Sequence, residues 1–214
     1  MARSLTRREA ISLSGLTVVG GAASVALQRS APLARDVRAS AAARTILEDD
    51  NWPVYGPDNA DLTVVCFTDY QCPACRFAEP KLAEAIENDG KTRIIYRDWP
   101  IFGSRSIEAA RAALAATYQG RYLPIHQALM KSTAALTSEE VIEIAQTAGL
   151  NATNLRKDLV THGPEISRRI EQTNLDASWL HLPGTPGYLI GGLLLVGAHA
   201  TAEFSQVFAS ARHL

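Results

Sequence analysis

Apolar residues run almost unbroken along Leu62-Thr63-Val64-Val65-Cys66-Phe67 and give way at Thr68. A short β-branched run of this kind predicts a strand buried in a core. A polar break, Asp69 to Gln71, follows, and then the period changes. Phe77, Leu82, Ala85 and Ile86 recur at helical spacing from Pro73 to about Asn88, and Asn88-Asp89-Gly90 ends that helix. Pro80 lies inside it and predicts a kink. Thr92 to Tyr96 predicts a second strand, parallel to the first if the helix crosses back over the sheet. Asp98-Trp99-Pro100-Ile101-Phe102-Gly103 predicts a loop in which Trp99 and Phe102 pack.

From Ser104 to about His181 the spacing is helical. Ile107, Ala110, Arg111, Leu114, Ala115 and Tyr118 suit one helix ending at Gly120, and Tyr122 to Met130 suits a second. Thr137-Ser138-Glu139-Glu140 has the capping-box form, and Val141, Ile144, Ala145 and Ala148 follow it to Gly149. Asn151 caps a short helix to Val160, and Pro164 opens another with Ile166, Ile170 and Thr173 on one side. His126 and His162, in this region, are expected to be structural or solvated. The turn-rich Leu182-Pro183-Gly184-Thr185-Pro186-Gly187 follows. Two apolar runs, Tyr188-Leu189-Ile190 and Leu193-Leu194-Leu195-Val196, flank Gly191-Gly192 and predict a hairpin. Ala200 to Arg212 predicts a final helix with Phe204, Val207 and Phe208 turned inward.

The two ends of this pattern are less regular. Residues 1–34 read as an export signal: Arg3, Arg7 and Arg8 precede a mildly apolar run, Ile11 to Leu27, interrupted by serines and glycines. Seventeen such residues are short for a membrane span of about 20. Thr6-Arg7-Arg8-Glu9-Ala10-Ile11 resembles the bacterial twin-arginine signal, with Ala10 where a Phe is commoner. Cleavage is expected between residues 34 and 39; an uncleaved N-terminal anchor is the alternative. Residues 35–60 read as a mobile lead-in with a helix from Ala39 to Glu48, broken by Asp49-Asp50-Asn51 and Pro57-Asp58-Asn59.

Composition adds exclusions. A chain of 214 residues suits one domain, or one with an insertion. Its net charge of −1 points to no nucleic-acid partner. There is no Gly-x-Gly-x-x-Gly and no Cys-x-x-Cys-His, so no nucleotide, flavin or haem is implied. Three cysteines are too few for a disulfide scaffold.

Two of the three form Cys72-Pro73-Ala74-Cys75, at the point where strand becomes helix. The first turn of a helix offers unpaired N–H groups and the positive end of the dipole. Both favour a thiolate, and the first Cys of such a motif reaches a pKa of roughly 3.5–7.5. Pro73 lacks an N–H, which costs nothing in a first turn. Cys72 is thus the candidate attacking thiol and Cys75 the resolving one. A zinc site needs a second ligand pair, and none of the five histidines shows the spacing for it. An exported chain also meets an oxidising compartment, where a dithiol works on disulfides.

In order, Phe67-Thr68-Asp69-Tyr70-Gln71-Cys72-Pro73-Ala74-Cys75, Tyr96-Arg97-Asp98-Trp99-Pro100-Ile101-Phe102-Gly103 and Gly184-Thr185-Pro186-Gly187-Tyr188-Leu189-Ile190-Gly191-Gly192 resemble the DsbA family of bacterial thiol:disulfide oxidoreductases over about residues 52–212. The resemblance implies an α/β, thioredoxin-like fold (61–103 and 182–214) with an inserted all-helical subdomain (104–181). It implies a cis Thr185–Pro186 bond against the cysteines, with Thr185 and Pro186 binding an extended substrate segment and the Thr185 hydroxyl near Cys72. Family members commonly carry a buried Asp or Glu six residues before the first Cys, which helps move the resolving thiol's proton. Cys66, read as a buried apolar thiol, occupies that position here, leaving water, Asp69 or Asp98 for the task. Pro73-Ala74 lacks the His of the family's strongest oxidants.

These features point to an exported, periplasmic or otherwise extracytoplasmic enzyme. It forms or exchanges disulfides in protein substrates at Cys72 and Cys75 and is reoxidised by a membrane partner. A reductase or isomerase using the same residues is the alternative, and a thiolate-based copper or zinc chaperone is the reading from another class.

Overall fold

A computed structural model describes residues 32–49 and 51–214. The twin-arginine-like stretch and nearly all of the 1–34 segment lie outside the described residues. Among those described, a six-stranded sheet runs in the order β1-β6-β5-β3-β4-β2. The strands are β1 (Arg35–Asp36), β2 (Val54–Tyr55), β3 (Leu62–Thr68), β4 (Thr92–Asp98), β5 (Gly187–Ile190) and β6 (Leu193–Val196). The helices are α1 (Ala41–Glu48), α2 (Pro73–Asp89), α3 (Ser104–Ala115), α4 (Tyr122–Lys131), α5 (Ser138–Thr147), α6 (Ala152–Thr161), α7 (Gly163–Trp179) and α8 (Thr201–Arg212).

The β3-α2-β4 unit is parallel, with Leu62 opposite Thr92 and Thr68 opposite Asp98. β5 runs antiparallel to β3 on its other side, placing Cys66 between Tyr96 and Tyr188. β3 is therefore central, which is why its run is apolar on both faces. One face buries Val64, Cys66, Ile94, Tyr96 and Ile190 against α2, α8 and the helical block. The other buries Val65, Phe67, Ile95 and Leu189 with Ile46 of α1 and Ala177 of α7.

Element ends follow local chemistry. Gly90 closes α2 in the left-handed region (φ 66°), its N–H bonded to the Ile86 carbonyl. Gly191 and Gly192 both have positive φ, the requirement of a tight hairpin turn between β5 and β6. The capping box at Thr137 and Glu140 forms, and the Asn151 side chain accepts the Asn154 N–H at 2.9 Å. α3 stops at Ala115, earlier than its spacing predicts. A 3₁₀ turn, Ala116–Gln119, carries the chain to Gly120, which leaves Tyr118 exposed.

Two expectations need correction. The 35–60 lead-in is tied down. β1 pairs with β6, and β2 pairs with β4. Trp52 is buried beneath the fully buried Arg97, whose guanidinium lies 3.9 Å from the ring centroid. Arg97 also reaches Asp49 at 3.1 Å and Asp176 of α7 at 3.3 Å. Phe102 does not pack; it is 52% exposed, beside Ile101 at 43%. Trp99 does pack, edge-on to Phe67, with its Nε1 donating to Asn174 Oδ1 at 2.8 Å.

Candidate active site

Cys72 is the N-cap of α2: its backbone is extended (φ −75°, ψ 115°), and Pro73 begins the helix. An N-cap side chain accepts an N–H from the first turn, and here the acceptor is sulfur, taking the Cys75 N–H at 3.3 Å. The Cys72 thiol faces the Thr185 carbonyl at 3.4 Å, and the Thr185–Pro186 peptide is cis. Cys72, Cys75, Thr185 and Pro186 therefore meet, although 113 residues separate Cys72 from Thr185.

The two sulfurs differ in acidity. Cys72 is held down from 9.0 to about 6, first by the Cys75 side chain, then by the Thr185 side chain and the N–H groups of Cys75 and Ala74, against the cost of burial. Cys75 is pushed far up, first by Cys72 and then by burial. The Thr185 hydroxyl is buried without a well-aligned partner, and it acts on both sulfurs in favour of the thiolate. Both cysteines are free, and Cys72 is 2% exposed, next to the exposed Pro73.

Asp69 holds this loop in place. One carboxylate oxygen accepts the Gln71 N–H and the Ser106 hydroxyl, each at 2.7 Å; the other accepts the N–H groups of Ile101 (2.7 Å) and Phe102 (3.1 Å). Its own carbonyl accepts the Cys72 N–H at 3.1 Å. A single buried carboxylate thus joins the cysteine loop to the loop after β4. A Cβ on Gly184 would touch Ile101, so that exposed apolar residue lies beside the cis-proline loop.

Beneath the cysteines lies a buried polar cluster. His126 contacts Tyr70 Oη (3.0 Å) through Nδ1 and Glu79 Oε1 (3.1 Å) through Nε2. Tyr96 donates to the same Glu79 oxygen at 3.0 Å, and Tyr122 donates to both oxygens of Asp98 at 3.1 Å. Burial raises Asp98 to about 6, whereas His126, opposing a burial cost, holds Glu79 below its usual range. Burial also pushes the Cys66 thiol well up, helped by the nearby charges of Glu79 and Asp98.

Residues 63–209 match the DSBA-like thioredoxin domain. The chain belongs to that family. A thioredoxin-like oxidoreductase from Silicibacter pomeroyi is 36% identical and superimposes with a TM-score of 0.75, covering 79% of this chain and 97% of that one. A probable disulfide bond formation protein D from Bacillus anthracis is 29% identical over 65% of this chain and 69% of its own length. A Na⁺/H⁺ antiporter, NhaA 3, from Salinispora tropica is 27% identical over 78% of this chain, which spans about a quarter (26%) of that relative's length.

The sequence points to the Cys72–Cys75 pair, and the structure holds the two residues together at the start of α2. The sequence does not identify the cluster below them. Glu79 follows Cys75 by four residues, so both lie on one face of α2; that spacing was the available signal. His126 is buried in this cluster, not solvated. Among the described residues, no three His, Cys, Asp or Glu side chains are arranged to hold a metal ion, and no helix is long and apolar enough to cross a membrane. A cavity of about 500 Å³ opens on the flank of α2, lined in part by Arg76, Glu79, Pro80, Met130 and Lys131.

Proposed function

We propose that the protein is a thiol-disulfide oxidoreductase that forms or exchanges disulfides in protein substrates outside the cytoplasm. A substrate thiolate attacks Cys72 of the Cys72–Cys75 disulfide. The bond between the cysteines breaks, a mixed disulfide forms at Cys72, and Cys75 takes up a proton. A second substrate thiolate then attacks the substrate sulfur and displaces Cys72 as thiolate, leaving a substrate disulfide and a reduced enzyme. Thr185 and Pro186 bind an extended substrate segment beside Cys72, in the manner of an added strand. A membrane partner reoxidises the pair, and the 1–34 segment exports the chain by the twin-arginine route.

The observation that carries this reading is the Cys72 sulfur as helix cap, with its acidity raised to a pKa of about 6. The same observation favours oxidation over reduction. At pH 7, a thiol lowered from 9.0 to about 6 favours the reduced form by roughly 1.4 kcal/mol, and that shifts the couple towards oxidising potentials by roughly 30 mV. The test is oxidation of a reduced, unfolded protein by the preoxidised enzyme. Wild type is expected to transfer its disulfide and Cys72→Ser to transfer none; equal transfer by both removes Cys72 from the role.

A further inference from the structure

The helix that begins at the cysteines carries an open stripe which the chemistry above does not use. Pro73, Arg76, Pro80, Ala83 and Glu87 recur at spacings of three and four along α2, so they share one side of the helix. Pro73, next to Cys72, is exposed, as are Pro80, Ala83 and Glu87, while Arg76 is half-buried. From Arg76 onward this stripe forms one wall of the cavity of about 500 Å³. Gln127, Met130 and Lys131 of α4 form the other. His126 of α4 meets Glu79 of α2, whereas the Ala135 carbonyl, beyond the end of α4, accepts a bond from the Gln71 side chain at 3.4 Å. α4 therefore runs antiparallel to α2, and Lys131, its last residue, stands with Arg76 at the end nearest the cysteines.

The two ends of the cavity carry opposite charge. Arg76 is held one turn from Cys72: its backbone N–H donates to the Cys72 carbonyl at 3.1 Å and its Nε to the Tyr70 carbonyl at 2.7 Å. Its Nη2 has no hydrogen-bond partner, and among the described residues no carboxylate pairs with Arg76 or with the exposed Lys131. Glu79, in the middle of the wall, is already engaged by His126 at 3.1 Å. Glu84 and Glu87 lie at the far end, both exposed. Glu84 accepts the Thr201 hydroxyl at 2.7 Å, and Glu87 has no ion-pair partner among the described residues. At a helical rise of about 1.5 Å per residue, these two carboxylates stand roughly 12–16 Å from Arg76 along the axis. Pro80, Ala83 and Met130 supply an apolar floor between the ends, and Met adapts to varied partners.

Resting on the exchange reading above, we propose that this cavity binds the substrate chain on one side of its reacting cysteine. It selects segments with an acidic residue beside that cysteine and a basic residue about four positions further on. While one flank of the substrate lies against Thr185 and Pro186, the other passes over Pro73 and enters the cavity. The substrate carboxylate meets Arg76 and Lys131, and the substrate cation reaches Glu84 and Glu87. An extended chain advances about 3.3–3.6 Å per residue, so about four residues span the distance between the two ends. The side chains between them rest on the apolar floor. These ion pairs form at a wet rim, so they contribute selectivity and encounter rate more than affinity. The sulfur chemistry stays with Cys72 and Cys75; Arg76, Lys131, Glu84 and Glu87 determine which segments reach it.

The probes are short peptides, each with one cysteine held as a mixed disulfide with 5-thio-2-nitrobenzoate. The Cys72 thiolate of the reduced enzyme attacks the peptide sulfur; the Cys72–peptide bond forms, and the coloured aromatic thiolate leaves with the electron pair. One peptide carries Asp next to the cysteine and Lys about four residues beyond. A second exchanges the two charges, and both are made in each chain direction. In the favoured direction the first is expected to react about 5-fold faster than the second at low salt, and the ratio to fall towards one as salt rises. Lys131→Glu and Glu87→Lys, at exposed positions on two different helices, are each expected to bring the ratio below about 2-fold. Equal rates for the two peptides in both directions overturn the proposal, as does a ratio that survives both substitutions. Release no faster than from Cys72→Ser with every peptide overturns the exchange reading and this proposal together; fast release at equal rates overturns this one alone.

Discussion

The Cys72 sulfur accepts the backbone N–H of Cys75 at 3.3 Å, so the resolving residue helps to ionise the attacking one. The Cys75 side chain is the largest cause of the low Cys72 pKa, ahead of Thr185 and the first-turn amides. Cys75→Ala is therefore expected to raise the Cys72 pKa from about 6 towards 9 while leaving the helix cap in place. The pH dependence of iodoacetamide alkylation measures this. An inflection that stays near 6 in the variant would assign the acidity to the helix terminus alone.

Thr185 combines a cost with a use. Its hydroxyl is buried without a well-aligned partner, which is unfavourable, yet it favours both thiolates. Thr185→Val keeps the shape and removes the hydroxyl. Stability is expected to be unchanged or to rise by about 1 kcal/mol, while the Cys72 pKa rises. Urea unfolding and the alkylation profile together separate this from a packing defect, which would lower stability.

The reduced and oxidised forms are expected to respond differently to pH. Cys72 has a folded-state pKa below its unfolded value, so the stabilisation that its thiolate gives the reduced protein is full above about 9 and is lost as pH falls through about 6. The stability of the reduced form, measured relative to the oxidised form, is thus expected to decline from pH 8 to pH 5. Unfolding curves of both forms across that range check it; a constant difference would mean that Cys72 is not ionised in the fold.

Asp69 is expected to matter for stability as much as for the site. Asp69→Ala leaves two loop amides, the Gln71 N–H and the Ser106 hydroxyl without their acceptor. A loss on the order of 3 kcal/mol is expected, read as a lower urea midpoint. A change below about 0.5 kcal/mol would show that other groups hold the loop.

The sequence-legible parts are those whose signals are local. β3, α2 and β4 follow from period and caps, and Cys72 with Cys75 follows from their place at a helix start. The pairing of Thr185 with Cys72 came from the resemblance, because no local pattern joins positions 113 residues apart. β1 and β2 have two residues each and no strand pattern; β6 and β4 make them strands. Arg97 looks out of place in an apolar strand until Trp52, Asp49 and Asp176 arrive from two other elements. The Tyr70–His126–Glu79 contacts likewise join the loop before α2, α4 and α2, and the Cys75–Glu79 spacing on α2 marks only one of the three residues.

The most direct measurement is the ultraviolet absorbance of the reduced protein near 240 nm, followed from pH 4 to 10 and compared with Cys72→Ser. A thiolate signal appearing at about pH 6 in wild type and missing from Cys72→Ser is the expected result. A wild-type signal that rises only near pH 9, or one that persists without Cys72, would contradict an activated sulfur at the cap of α2.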